Sequence, residues 1–549
     1  MARTIILGSK ASIDLASKID AELIEVTDLY DNDLGAINDF VINHLRQEFD
    51  VLVIDADNFQ RGEEVALAIG GYLRLSFTEI GENALNPIIL VSDKSIKLFL
   101  KHKTYSQLLL TKNVYFQPRQ GIILDAVTPL EAKRYQDDFL DFIHVQAGPE
   151  TGRHSIANQW GASVLDKLLN MGKSSDNPIL NTASKSLYFK YVYAQTINVA
   201  DFLSGKQQTQ FNMMNRPPIN AKGKRILLID DEAAKGWEFV LKRLIVTNDG
   251  DFDVIGHKAK DYNDFSKEER NQIEKGNYDL VFLDLRMNGA DEEDVYQPED
   301  FSGMKILKQI KSKQPGVQVI MFTASNKAWN LKALLDEGAD GYYIKESPEY
   351  KFSLGFSIAN YDALRENIKD CLQRSYLRQV DGQIKAIKKD FNRTHGDMTN
   401  FKNSIVNQLE VSYALLAARH FEYAYVSLYQ TIELINDQYL DRDDNNVWYI
   451  KETNEDAKNW MTRNFRHECF ESPFSEKDKK DKYPEWKKLS TLYYQLWKQE
   501  DRSWGYKVQQ LINERNKFMH NEVDKKSSIH TEVGYLELLE IICTVCGFI

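Results

Sequence analysis

Cysteine is scarce in this chain: four residues in 549, at Cys371, Cys469, Cys543 and Cys546. So few thiols exclude a disulfide scaffold and point to a reducing compartment. Cys543 and Cys546 form a CxxC, but inside the apolar run LLEIICTVCGFI, which reads as buried helix packing and not as a redox or metal pair. Long apolar runs are also missing. No segment approaches the roughly 20 apolar residues that cross a bilayer, and the start MARTIILGSKASIDL reads as a first strand, not a signal peptide. An excess of positive charge is absent too. The net charge of -12 argues against a protein that coats DNA by bulk electrostatics, although a local basic groove stays compatible with it. These absences predict a soluble, cytoplasmic protein with no membrane association.

What is present is alternation. From Thr4 to about Val127, the runs TIILG, AELIEV, VLVIDAD, PIILVS and GIILDAV alternate with helix-like stretches, the pattern of βα units around a buried parallel sheet. Residues 151–221 read as a helical insert followed by a polar linker carrying Pro217 and Pro218. A second α/β block follows with strands RILLID, FDVIGH, YDLVFLDL, VQVIMFTA and GYYIK. Helical periodicity then runs to the end, with almost no strand signal beyond Tyr350. The expected fold class is multidomain: two flavodoxin-like α/β domains with parallel sheets, then an all-α helical domain. The expected divisions are 1–150, 151–221, 222–350, a helical connector at 351–400, and 401–549.

The second block carries its chemistry at strand ends, where open parallel sheets bind their ligands. RILLIDDE ends in Asp230 and Asp231, VFLDLRM places Asp284, MFTAS places Thr323, and YYIKES places Lys345. Three carboxylates on one rim repel one another unless a divalent cation lies between them, and Mg²⁺ suits an oxygen-only set. Asp284 is then the candidate nucleophile toward a phosphoryl group. Over about 222–350 these residues resemble the receiver domain of two-component response regulators. The resemblance implies Asp230 and Asp231 as the acidic pair, Asp284 as phospho-acceptor, and Thr323, Tyr342 and Lys345 as the phosphate switch. It also implies a metal shell of Asp230, Asp231, Asp284 and the Arg286 carbonyl, and a histidine kinase or phosphotransfer protein as partner. Two departures stand out: Glu346 follows the lysine where the family usually has proline, and NGADEEDVYQPEDFSG lengthens the loop after Asp284.

VLVIDADN in the first block aligns by eye with VFLDLRMN, setting Asp55 opposite Asp284 and Ser92 opposite Thr323. The first block lacks the acidic pair and a lysine at the end of its last strand. It therefore resembles a degenerate receiver suited to docking or dimerisation, with an unrelated flavodoxin-like domain as the alternative.

Near the end of the tail, INERNKFMHNE holds Arg515, Asn516 and His520. The RNxxxH form in an all-helical domain resembles HEPN domains, which include many metal-independent ribonucleases. The resemblance implies His520 as general base or acid, Arg515 as charge stabiliser, Asn516 as an orienting group, no cofactor at that site, and RNA as substrate. Glu433, on an upstream helical stretch, is the expected carboxylate partner of Arg515. On a regular helix, positions five apart lie about 140° apart, so Arg515 and His520 do not share a face. Either the helix begins or bends within the motif, or a second chain completes the site; the HEPN resemblance implies the second, a composite site in a homodimer. The near miss RNFRH, with Arg463 and His467, is one residue too short. The run SEKDKKDKYPEWKKLSTLYYQLW offers Tyr483, Trp486, Tyr493 and Trp497 as stacking rings, but interrupting acids favour a solvated loop. The combined expectation is a two-component-type effector that controls a HEPN ribonuclease, for which the resemblance implies a stress or antiphage role. A non-enzymatic phospho-signalling adaptor is the alternative.

Overall fold

A computed structural model describes residues 3–549 except 27–28, 30–33, 60–61, 103–104, 148–152, 171–174, 207–215, 258, 260–261, 288–296, 325–327, 394–397, 463–467, 473–482 and 521–526. The chain divides into two compact units. The first comprises Met1–Lys313 with Gln318–Gln373, and the second comprises Gln314–Val317 with Arg374–Ile549.

In the first unit, TIILG, AELIEV, VLVIDAD and PIILVS become β1 (Thr4–Gly8), β2 (Ala21–Glu25), β3 (Val51–Asp55) and β4 (Ile88–Val91), but the fifth strand is β5 (Val114–Gln117), and the run GIILDAV at 121–127, expected as a strand, is not one. The five strands pair in parallel in the order β2-β1-β3-β4-β5. The three inner strands are buried along their whole length, whereas the edge strands are half-buried. That is why the inner strands read as unbroken apolar runs: helices cover both faces of a parallel sheet.

The second block repeats this topology with β6 (Ile226–Ile229), β7 (Phe252–Ile255), β8 (Leu280–Asp284), β9 (Gln318–Thr323) and β10 (Gly341–Ile344). The order is β10-β9-β8-β6-β7, again parallel. Written in chain order, both sheets follow the 2-1-3-4-5 arrangement, whose switch point lies at the carboxyl ends of the first and third strands.

Between the two sheets in the chain lie the helices Arg153–Leu169, Pro178–Ser184, Leu187–Thr196 and Val199–Leu203 of the insert. The longest of them, Arg153–Leu169, buries Ile156 and Trp160 in the core of the first block and Ala162, Leu165 and Leu168 in the core of the second. The stretch 351–400, read as one connector, divides between the units. Helix Leu354–Gln373 packs Tyr361, Leu364, Ile368 and Cys371 into the core of the second block, whereas helix Tyr376–Arg393 packs Leu377, Val380 and Ile384 into the second unit.

The second unit is mostly helical, built on Thr399–Ala417, Phe421–Tyr439, Trp504–Met519 and Glu532–Cys546. It is not all-α. Short antiparallel strands occur at Leu440–Arg442, Trp448–Ile450 and Glu455–Asp456, and another pair at Asn459–Thr462 and Cys469–Ser472. Strands of two to four residues are too short to display the alternation from which a strand is read. Tyr483, Trp486 and Tyr493 are buried in this unit's core, so these rings are packing groups and do not offer a stacking surface. Trp486 lies in helix Glu485–Thr491, where a solvated loop was expected. Cys543 and Cys546 are free thiols in the last helix, and burial pushes Cys543 up to about 11. Arg463 and His467 lie outside the described residues.

Gly303 opens helix Ser302–Lys313 directly behind the end of β8. A Cβ there would lie 2.1 Å from the Asp284 carbonyl oxygen and 2.7 Å from the Leu285 Cα. Gly303→Ala is expected to destabilise the first unit by about 1–3 kcal/mol, because backbone on both sides has to move. Urea unfolding measures it; a midpoint equal to wild type would show that the contact relaxes freely.

Candidate functional site

The carboxyl ends of β6, β8, β9 and β10 bring five side chains to one rim. Asp230 and Asp231 follow β6, Asp284 and Thr323 close β8 and β9, and Lys345 follows β10. All five are at most 5% exposed, which matters because burial strips the carboxylates of solvating water. One oxygen from each of Asp230, Asp231 and Asp284 lies within 4.8 Å of the others. The Lys345 ammonium donates to Asp230 Oδ2 at 2.8 Å and lies 3.1 Å from Asp284 Oδ2. Burial opposes its charge, but Asp230 and Asp284 hold its pKa above the ordinary lysine value. The Lys345 backbone N–H donates to the Thr323 carbonyl at 2.7 Å, tying the two strand ends together.

Three carboxylates against one ammonium leave an excess of negative charge in a buried, oxygen-only pocket. A divalent cation fits that donor set, and Mg²⁺, which keeps some of its own waters, needs only a few protein oxygens. Arg286, two residues past Asp284, turns its guanidinium over the Phe301 ring at 4.5 Å. Tyr342 is half-buried on β10, and its carbonyl accepts from Asn367 at 3.1 Å.

Residues 226–352 match the response regulator receiver domain. The matched span contains the whole rim, and a receiver domain supports a role in two-component-type signalling with a histidine kinase or phosphotransfer protein. No curated protein matches the chain. No helix among the described residues is long and apolar enough to cross a membrane.

Within the receiver domain, Glu346 is 2% exposed, and its Oε2 accepts from Ser357 Oγ at 2.8 Å. Proline at this position has no carboxylate to offer, so the substitution ties the end of β10 to helix Leu354–Gln373. Two further groups carry no sequence signal. Asn158, from the insert helix, accepts from Lys345 Nζ at 2.8 Å and from Trp237 Nε1 at 3.0 Å. Trp237 is fully buried against Phe322 and Tyr343. Neither contact follows a motif, because Asn158 precedes the matched span and the contact depends on tertiary packing.

In the first α/β block, Asp55 sits at the end of β3, as Asp284 does on β8. Its carboxylate accepts from Ser12 Oγ at 2.7 Å, Asn58 Nδ2 at 2.6 Å and Arg119 Nη1 at 3.2 Å. Arg119, just beyond β5, thus supplies the cation where no lysine was found in the sequence. Ser92 Oγ donates to Asp57 rather than to Asp55.

In the second unit, Arg515 lies on helix Trp504–Met519 and His520 is the residue capping its C-terminus. The Arg515 guanidinium lies 4.4 Å over the Tyr429 ring and 3.7 Å from Glu433 Oε1, and it donates to Asn516 Oδ1 at 3.2 Å. Burial raises the Glu433 pKa, and Arg515 opposes that rise. His520 is exposed. Among the described residues, no hydrogen bond or ion pair joins its ring to Arg515, Asn516 or Glu433.

Burial pushes the Glu346 carboxyl up to about 7, against the lowering effect of Ser357. Lys167, which burial lowers to about 8, lines the same small cavity. The native state therefore holds a proton on Glu346 that the unfolded chain has released. This contribution to stability is full below about pH 4.5 and is lost as pH rises to about 7, on the order of 3 kcal/mol. Glu346→Gln is expected to flatten that part of the profile, read from urea midpoints between pH 4.5 and 7.5. An unchanged slope would assign the pH dependence to other groups.

Proposed function

We propose that this chain is a phosphorylation-controlled effector in which Asp284 is the phospho-acceptor. The observation that carries the reading is the buried set of Asp230, Asp231 and Asp284 with Lys345 bridging two of them. An Asp284 carboxylate oxygen attacks the phosphorus of a phosphohistidine on a histidine kinase or phosphotransfer protein. The P–N bond breaks, and the imidazole leaves with its electron pair. Asp230, Asp231, Asp284 and the Arg286 carbonyl would hold Mg²⁺, which would supply positive charge opposite the phosphoryl oxygens. Lys345 and Thr323 bind the same oxygens, and Tyr342 responds to the movement of Thr323. The first block acts as a degenerate receiver: Ser12, Asn58 and Arg119 already engage the Asp55 carboxylate, which supports a docking or dimerisation role over a second phospho-acceptor.

The output in this reading is a HEPN-type, metal-independent endoribonuclease. His520 moves the 2′-hydroxyl or leaving-group proton, Arg515 offsets charge at the phosphorus, and Asn516 orients the substrate or the histidine. Glu433 and Tyr429 bracketing Arg515 support an arginine held in one position. The exposed His520 at the helix end suits a site completed by a second copy of the chain. Stress or antiphage defence is the corresponding biological setting, because indiscriminate RNA cutting arrests growth. The lack of a contact between Arg515 and His520 within one chain keeps the adaptor alternative in view. There the helical unit binds a partner protein or RNA without cutting it.

Acetyl phosphate with Mg²⁺ is expected to place an acid-stable, base-labile phosphoryl group on wild type and none on Asp284→Ala. Equal labelling of the two removes the acceptor assignment. RNA incubated with the activated protein in EDTA is expected to be cut, with at least about a 100-fold loss in His520→Ala. No cutting by wild type under any phosphorylation state favours the adaptor.

A further inference from the structure

The helix Arg153–Leu169 lies outside the span matched by the receiver domain, yet it delivers a side chain to the receiver's most charged contact. Asn158 is 3% exposed. Its Oδ1 accepts from two donors, Lys345 Nζ and Trp237 Nε1, at 2.8 and 3.0 Å. Both neighbours are donors only, so the oxygen and not the nitrogen of the carboxamide must face them. Trp237 cannot turn away, since its ring is fully buried and set edge-to-face against Phe322 and Tyr343. The helix also packs closely against the receiver here. One turn on, a Cβ at Gly161 would stand 3.0 Å from the Trp237 ring and 3.1 Å from the Glu346 carbonyl oxygen. Asn158 is therefore clamped, and Lys345 is held by three groups: Asp230, Asp284 and the insert helix.

We propose that Asn158 is a positioning residue of the phosphorylation site, which sets where the Lys345 ammonium rests and couples its movement to the insert helix. The proposal rests on Asp284 being the phospho-acceptor. A phosphoryl group on Asp284 offers Lys345 oxygens of higher charge than a neutral carboxamide, and charge-assisted hydrogen bonds are roughly twice as strong as neutral ones. As Lys345 turns to the phosphoryl oxygens, Asn158 loses one of its two donors and its hold on the helix loosens. Because that helix also buries Ile156 and Trp160 in the core of the first block, a shift there reaches a second domain without passing through helix Leu354–Gln373.

The test uses the full-length protein. Asn158→Asp is nearly isosteric and replaces a neutral acceptor by a charged one, so it is expected to slow labelling by acetyl phosphate about tenfold. Asn158→Ala frees the ammonium and is expected to label at least as fast as wild type. Hydrogen exchange is read in parallel, with beryllium fluoride and Mg²⁺ as the phosphoryl mimic. Peptides from 153–169 are expected to exchange faster in wild type on adding the mimic, and to show no response in Asn158→Ala. Equal labelling rates in all three proteins, or a 153–169 segment that ignores the mimic in wild type, overturns the proposal while leaving Asp284 as acceptor. Wild type that takes up no label, or labels as Asp284→Ala does, removes the acceptor reading and this inference with it.

Discussion

The Lys345 ammonium is the group on which the receiver rim depends. It is buried, and it lies between carboxylates that could not share so small a space without a cation. Removing a charged partner from such a set leaves uncompensated buried charge, which costs several kcal/mol, typically about 3–5. Its reach is set by its surroundings: Nζ lies 5.3 Å from the Trp237 ring centroid, and the backbone N–H is fixed to Thr323. A shorter or differently branched cation at this position would not meet both Asp230 and Asp284. The remaining excess of acid fits the charge of a divalent cation.

The first α/β block carries the same topology with a different set of side chains. Its strand order is identical, and Asp55 occupies the corresponding strand end. There one carboxylate meets one guanidinium, and two neutral donors take up the remaining lone pairs. At Asp55 itself the two charges cancel, while Asp57 and Asp93 lie alongside and accept from Ser92 Oγ and from the backbone N–H groups of Asp93 and Arg119. Arg119 also presents a planar fork that engages a carboxylate more rigidly than lysine does. The contrast between the two rims lies in three or four side chains, not in the fold that carries them.

Much of this was readable in the sequence, for a physical reason. The inner strands are buried on both faces, so TIILG, VLVID and LVFLD stand out as apolar runs, and the carboxylates at their ends follow at once. Asp230, Asp231, Asp284, Thr323 and Lys345 come from four separate strands, yet topology alone brings them together. The edge strand β5 is only half-buried, so its signal is weaker than that of the nearby apolar run GIILDAV, which reads as the strand but is not one, and Arg119 lies between the two. The short strands after Leu440 escaped because two to four residues cannot display a period. Asn158 escaped for a deeper reason: a lone asparagine in a helix is unremarkable until its two donors, 79 and 187 residues away, are placed against it.

The end of β10 is where the sheet is tied to helices from both sides of the domain. Lys345 and Glu346 are adjacent, and each is held by a helix from outside the sheet, Lys345 by Asn158 before the domain and Glu346 by Ser357 after it. The core makes the same point, since Ala162 and Leu165 from one helix and Tyr361 and Leu364 from the other fill it together with β6, β8 and β9. A receiver built this way is not a bead on a string. Packed interiors transmit displacement because they have few voids to absorb it. Lys345 and Glu346 thus join the sheet to both flanking helices through hydrogen bonds and not by steric contact alone.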